Sequence, residues 1–298
     1  MNALSETNPV HSCAMTCPPL QPLNWQPGAF RRVRRVGHTS MKTIEAECQG
    51  GRAFVKVMGN PEGPHRLAAE WIGARLGAWL GLAVPQHAIA EWPAALCEKV
   101  LHGTDAAAGP CFATKALAGH VWGGTANELA NIVNPADVTR LVIFDTWLLN
   151  RDRCEPPGAG FGPNRDNLFI EQIGPGGAIR LVAIDHGHCL MPHSELTPRI
   201  AEAPRIGDRR TYGLFPPLAG LLDQRIADSC GEQLAGLERR IVEEVVGEIP
   251  RGWDVPAAAR TAIVDLVCGR ARTVADMMNS GWPARTAAGN PEPDPATD

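Results

Sequence analysis

Phe144-Asp145-Thr146-Trp147-Leu148-Leu149-Asn150-Arg151-Asp152-Arg153, then Asn167-Leu168-Phe169-Ile170, then Leu181-Val182-Ala183-Ile184-Asp185-His186-Gly187 are the three pieces of sequence on which the fold and the chemistry turn. The first ends an apolar helical pattern that starts at Asn134-Pro135, with Asn as cap and Pro at the first helical position, and it delivers Asp152 into a loop. The other two read as strands over 167–173 and 178–184, joined as a hairpin by Gly174-Pro175-Gly176-Gly177. An even register brings the outer ends of a hairpin together. Asn167 and Asp185 then sit side by side at one mouth, with Asp152 beside them. Two carboxylates and an amide oxygen at one point suit an oxygen-loving divalent cation. Mg²⁺ in particular takes few protein oxygens together with substrate phosphates. A free Asp next to such a cation suits general-base work on a hydroxyl.

Outward from this centre, the first half is rich in strands. Residues 30–36, 41–48 and 53–57 read as three consecutive antiparallel strands, separated by Gly37-His38-Thr39-Ser40 and by Gln49-Gly50-Gly51. A helix follows over 65–80, with Leu67, Ala68, Trp71, Ile72, Leu76, Trp79 and Leu80 on one broad face. Glu70 lies almost opposite that face, among Arg66, Gly73, Ala74 and Gly77, so its small neighbours either admit close packing or face solvent. Residues 82–91, 97–102 and 111–117 read as further strands, and two helices over 228–246 and 256–279 close the chain. Strands first and helices after, with one hairpin in the helical half, make an α+β, two-lobed pattern. The first lobe is expected over 23–118, an antiparallel sheet with one helix, and a mainly helical second lobe over 119–283. Residues 1–22 and 284–298 are polar and aperiodic, and are expected to be a disordered leader and tail.

Composition narrows the function. The 298 residues carry a net charge of −4, which argues against direct binding of nucleic acid, since that needs a concentrated basic surface. No apolar run approaches the roughly 18–20 residues of a membrane helix. The first residues have neither the basic start nor the apolar core of a signal peptide. The nine cysteines are scattered without a Cys-x-x-Cys pair, which removes the main signature of zinc ribbons and thioredoxins. They read as small hydrophobes in a reducing, cytoplasmic setting.

The three quoted stretches resemble the HipA-like kinases and, more distantly, phosphatidylinositol kinases and the protein-kinase superfamily. In that pattern an Asn-x-Asp-Arg loop is followed by an Asn-Leu-Leu strand and then by Asp-His-Gly. Here they stand as Asn150-Arg151-Asp152-Arg153, Asn167-Leu168-Phe169 and Asp185-His186-Gly187. The resemblance implies a bilobal protein-kinase-like fold, with Asp152 as catalytic base and Asn167 and Asp185 as metal ligands. Asn167 lies fifteen residues after Asp152, where kinases have about five. The Gly/Pro-rich insert between them bulges outward, and Asn164 is the alternative ligand.

In the first half, Val55-Lys56-Val57 resembles the strand whose Lys grips the α/β phosphates, and Ala69-Glu70-Trp71 the helix whose Glu pairs with that Lys. Gly37-His38-Thr39-Ser40 sits where the phosphate-covering loop belongs. It lacks G-x-G-x-x-G, but offers backbone N–H groups and hydroxyls to phosphates. The implied activity is an ATP- and Mg²⁺-dependent phosphotransferase acting on a protein Ser/Thr hydroxyl, with a small-molecule acceptor left open. A kinase-shaped module that binds nucleotide or a partner without turnover is the alternative, favoured by the insert. A third class, a metal-dependent hydrolase on Asp185, His186 and His188, requires both His rings to point the same way from an extended segment.

Overall fold

The computed structural model describes residues 17–100, 105–156, 162–174, 176–191 and 195–282. Strands β1 (Phe30–Val36), β2 (Ile44–Cys48) and β3 (Gly51–Met58) come first, followed by helix α1 (His65–Trp79), β4 (His87–Trp92), the one-turn α2 (Ala94–Cys97) and β5 (Ala107–Lys115). They form one antiparallel sheet in the order β1-β2-β3-β5-β4. Period-two alternation splits its residues between two faces. Ile44, Ala46, Ala53, Val55, Val57, Ala88, Cys111 and Ala113 face a core closed by Trp25, Phe30, Trp92 and Leu96. Glu45, Arg52, Phe54, Lys56, Phe112 and Thr114 line the opposite face, which roofs a cleft.

The second half starts with β6 (Gly119–Val121), α3 (Ala136–Leu148), β7 (Leu168–Gln172) and β8 (Ile179–Ala183), and ends with α4 (Ala203–Ile206), α5 (Gln224–Ala235), α6 (Arg239–Gly247) and α7 (Ala257–Asn279). The three strands make a small sheet, β6-β7-β8, beneath the cleft. The main core joins α1 to α3, α5, α6 and α7 through side chains such as Trp71, Phe144, Trp147, Val245 and Leu266. Helix α1 is therefore buried nearly all round. Its small-residue face is a packing face. A Cβ on Gly73 would come within 2.4 Å of His186 Cβ, and one on Gly77 within 3.4 Å of the Phe144 ring.

The structure departs from the sequence reading in several places. Residues 97–102 do not start a strand: α2 ends at Cys97 and a 3₁₀ turn, Glu98–Val100, continues it, while 101–104 lie outside the described residues. Pro93 leads into Ala94-Ala95-Leu96, good helix formers, and Leu96 plugs the core of the sheet. The helix expected over 228–246 is two helices, α5 and α6, broken at Gly236. The start of α5 is set earlier, by Asp223, whose carboxylate accepts from Arg225 N at 2.8 Å. Asn134 does not cap α3 with its side chain. Its Nδ2 donates to Leu181 O (2.8 Å) and its Oδ1 accepts from Leu181 N (2.9 Å), so it pairs with β8 as a strand residue would. The strand expected from residue 82 begins only at His87, after Pro85, which has no N–H to offer a ladder.

The first sixteen residues of the expected leader lie outside the described residues, as does the tail from 284. Residues 17–22 pack on α1: Trp79 Nε1 donates to Pro18 O (2.8 Å) and Arg75 Nη1 to Gln21 O (2.7 Å). Among the described residues every cysteine is free, and no helix is long and apolar enough to cross a membrane.

His87 makes the fold sensitive to acid. Its ring is buried between Trp71 and Phe112, at centroid distances of 5.7 and 6.3 Å. Nδ1 lies 3.0 Å from Pro85 O, and the buried Nε2 has no partner among the described residues. Burial pushes its pKa down to about 4. The unfolded chain then takes up the proton first as pH falls. This contribution to stability is complete above the ordinary value of 6.5 and is lost on the way down to about 4. We expect His87 alone to remove up to about 3 kcal/mol over that window. Urea unfolding of wild type and His87→Phe across the same pH range measures it, and parallel pH–stability curves would refute the assignment.

Candidate active site

A cleft of about 1030 Å³ separates the two halves, and Lys56, Glu70, Asp152, Asn164, Asn167 and Asp185 all line it. Lys56 reaches it because β3 alternates, placing Val55 and Val57 in the sheet core and Lys56 on the other face. Its Nζ is ion-paired with Glu70 Oε1, and with Asp185 Oδ1 at 2.8 Å. The second oxygen of Glu70 accepts from His186 N at 3.0 Å. One turn earlier on α1, Arg66 Nη1 donates to Gly187 O at 3.0 Å. An i, i+4 pair on one helix face thus grips the Asp185-His186-Gly187 turn from both ends. Asp185 itself has φ 57°, a left-handed conformation that costs a residue with a Cβ and persists because these bonds over-determine it.

Burial works against all three charges. It pushes the Glu70 carboxyl up in spite of Lys56. Lys56, between two carboxylates, is nonetheless held above its ordinary range. The Lys56 ammonium likewise overcomes burial to hold the Asp185 carboxyl well below the usual carboxylate range. Lys56 and Asp185 are therefore both charged at neutral pH.

The loop after α3 is built on a reversal. Leu149, with φ 53°, ends the helix in the left-handed region, and Asn150 Nδ2 donates back to Asp145 Oδ1 at 2.8 Å. Arg153 turns inward and has no exposed surface. Its Nε donates to Asp145 Oδ2 (2.8 Å), its Nη1 to Asn167 O and to Ile184 O (3.1 Å), and its Nη2 lies 3.4 Å from His186 Nδ1. Asp152, its neighbour, turns the other way. Its Oδ2 accepts from Asn167 Nδ2 at 2.6 Å and from Asn164 Nδ2 at 3.1 Å. The β7–β8 register pairs Leu168 with Ala183, and Ile184 N donates to Asn167 O at 3.1 Å, so Asn167 and Asp185 meet at the hairpin mouth as the sequence implied.

Arg153 and Asp145 were not among the residues picked out from sequence. The available signal was an acid inside the apolar run Phe144–Leu149, since a buried carboxylate needs a partner. Met41, a third residue of the site, carries no such signal in the sequence. It is buried in the main core and sits next to Gly187, whose added Cβ would lie 3.4 Å from the Met41 sulfur. Met41 thereby seats the β1–β2 loop on the Asp185 turn. Of that loop, Gly37, Thr39 and Ser40 line the cleft, whereas His38 does not. Gly37 N donates to Thr43 O (2.8 Å), and the Thr39 hydroxyl accepts from Thr43 N (3.0 Å), bracing the turn.

The hydrolase arrangement does not form. The chain turns after Asp185, with Cys189 N donating to His186 O at 2.9 Å, so the extended segment that would aim both His rings alike is not formed. His186 is buried edge-on to Phe144 (centroids 5.3 Å), and burial holds its pKa well below the ordinary value. His188 is partly exposed, 3.5 Å from Glu62. Among the described residues, no group of three or more His, Cys, Asp or Glu is arranged to hold a metal ion. The donors at the hairpin mouth are instead one carboxylate and one amide oxygen, a set that a hard cation can share with phosphate oxygens.

Arg153→Met would leave the Asp145 carboxylate buried without its cation, and we expect it to lower the unfolding free energy by about 3–5 kcal/mol. Arg180→Met removes a half-exposed guanidinium from the β7–β8 hairpin, where its partner Glu171 is itself partly exposed, and should cost less than about 1 kcal/mol. Denaturant titration of both variants checks this; equal losses would mean that the buried network does not hold the loop.

A family model described as HipA-like kinase matches residues 32–202, more than half of the chain. Among solved structures, the proinflammatory kinase CtkA of Helicobacter pylori superposes with a TM-score of 0.51 at 11% identity, over 84% of this chain and 94% of that one. No curated protein matches significantly. The structural likeness carries the bilobal kinase-like fold, and the sequence match spans Lys56, Glu70, Asp152, Asn167 and Asp185 alike. On that match the chain belongs to the HipA-like kinase family.

Proposed function

We propose that the chain transfers the γ-phosphoryl group of ATP, with Mg²⁺, to the hydroxyl of a protein Ser or Thr. The observation that carries this reading is the sharing of one cleft: Asp152, held by two amides, opens onto the space lined by the Lys56–Glu70–Asp185 charge system. Lys56, fixed by Glu70, grips the α/β phosphates as a charged donor. Thr39 and Ser40 cover them with backbone N–H groups, while Gly37 gives its own N–H to Thr43 O and holds the turn in place. His38, expected beside them from sequence, does not line the cleft and is left out of this set. Phe54, Phe112, Leu117 and Ile184 supply the apolar part of the cleft, which suits an aromatic base. Asp185 and Asn167 are the oxygen donors for the cation. A divalent cation bound there neutralises charge on the phosphates. Asp152 orients the acceptor hydroxyl and accepts its proton. Rate enhancement on this plan comes from positioning and charge complementarity.

Two substitutions separate these roles. Asp185→Asn keeps the size of the side chain and removes its charge. We expect Mg²⁺-dependent nucleotide affinity to fall roughly 10- to 100-fold while unfolding stays cooperative. Wild-type binding of Mg·ATP by this variant would remove Asp185 from the metal site. Asp152→Ala is expected to leave ATP affinity nearly intact and to lower phosphotransfer roughly 10²–10⁴-fold. Both are read with labelled ATP, purified protein and a cell lysate, followed by identification of the labelled band. Tight Mg·ATP binding by wild type with no transfer to any acceptor would favour the non-catalytic module instead.

A further inference from the structure

Two amides converge on Asp152 from the far side of the insert, and they are not equivalent. Asn164 is used at both ends. Its backbone N donates to Arg153 O at 2.8 Å, its Oδ1 accepts from Asp166 N at 3.2 Å, and its Nδ2 donates to Asp152 Oδ2 at 3.1 Å. Asn167 gives its Nδ2 to the same oxygen at 2.6 Å, but its Oδ1 accepts no hydrogen bond among the described residues. Its backbone is pinned separately, since Asn167 O receives the Arg153 guanidinium. A planar amide has its oxygen and nitrogen on opposite sides of one carbon. One that spends its NH₂ on Asp152 can offer a cation only its oxygen; that of Asn164 is tied into the turn by Asp166 N, and that of Asn167 carries no hydrogen bond among the described residues.

We infer that Asn164 is a positioning residue for Asp152, and that Asn167 alone of the two amides is a metal ligand. This rests on the phosphotransferase reading of the site and assigns a task to the insert. The chain returns at Asn164, twelve positions after Asp152, with a second donor for the base. Two donors on Oδ2 fix the plane of the carboxylate and leave Oδ1 as its free oxygen toward the acceptor hydroxyl. Hydrogen bonds to an ionised acceptor are strong enough to hold such an orientation.

The test uses Asn164→Ser, Asn167→Ala and Asp152→Ala in the full chain. Serine keeps an oxygen for Asp166 N, so the turn before β7 is preserved, but it is too short to reach Asp152. Asn164→Ser is expected to lower kcat roughly 10-fold, with KM for ATP and the Mg²⁺ concentration for half-maximal activity within about twofold of wild type. Asn167→Ala is expected to raise that Mg²⁺ concentration roughly 10-fold or more. In the Asp152→Ala background Asn164→Ser should cost nothing further, because it acts through a carboxylate already removed. A loss of similar size with and without Asp152 would show a merely structural role and overturn the inference. So would an Mg²⁺ requirement raised by Asn164→Ser, or a wild-type rate in that variant. A wild-type protein that shows no Mg·ATP-dependent transfer would instead defeat the reading of the site, and this inference with it.

Discussion

The buried guanidinium of Arg153 is the contact on which the rest of the site depends. A cation with no exposed surface is tolerable only where its donors are met, and Arg153 meets a carboxylate from α3 and backbone oxygens from the ends of both hairpin strands. Those oxygens belong to Asn167 and to Ile184, the residue before Asp185. One side chain therefore sets the spacing between the helix that carries the loop and the hairpin mouth that carries the two oxygen donors. Because Arg153 turns inward, its neighbour Asp152 is left to face the cleft. Burial pushes the Asp145 carboxyl up, and the Arg153 and Asn150 side chains oppose that shift. The network is thus a rigid but costly device, suited to holding geometry more than to adding stability.

Across the cleft, a second set of charges joins the two halves. Lys56 and Asp185 are 129 residues apart in the chain and 2.8 Å apart in space. Their meeting needs α1 to lie close against the Asp185 turn, and this is what Gly73 allows. A side chain there would collide with His186, the residue whose backbone Glu70 holds. The face of α1 that carries Glu70 thus combines a charge with an absence of bulk. Arg66 and Glu70 then fix the turn through its backbone, while Asp185 keeps its carboxylate partly open to the cleft.

The insert between Asp152 and Asn167 costs the fold little. Loop-closure entropy grows only slowly with length, so ten extra residues add less than their number suggests. Its return is anchored by Asn164, whose backbone bonds Arg153 O. Long excursions are thus compatible with a site whose geometry is set at their two ends.

Much of the architecture was legible from local pattern, because strand and helix periods are local properties. The alternation in residues 44–57, the apolar face of α1, and the hairpin over 168–183 needed no tertiary information. The motif stretches around Asp152, Asn167 and Asp185 also lay in the sequence, as did the pairing of Lys56 with Glu70 implied by resemblance. What local pattern could not decide was which partner each polar group would choose. Asn134 reads as a cap but bonds β8, since its strand partner is distant in sequence. His186 and His188 read as a pair but take different neighbours, Phe144 and Glu62, because a turn held by α1 lies between them. Glu70 sits on a face that could have met solvent, and only the close approach of the second half buries it. The grip of Arg153 on the hairpin mouth and the seat of Met41 on the Asp185 turn exist only through contacts distant in sequence. Buried polar groups must find partners wherever the fold places them, and that choice belongs to the tertiary structure.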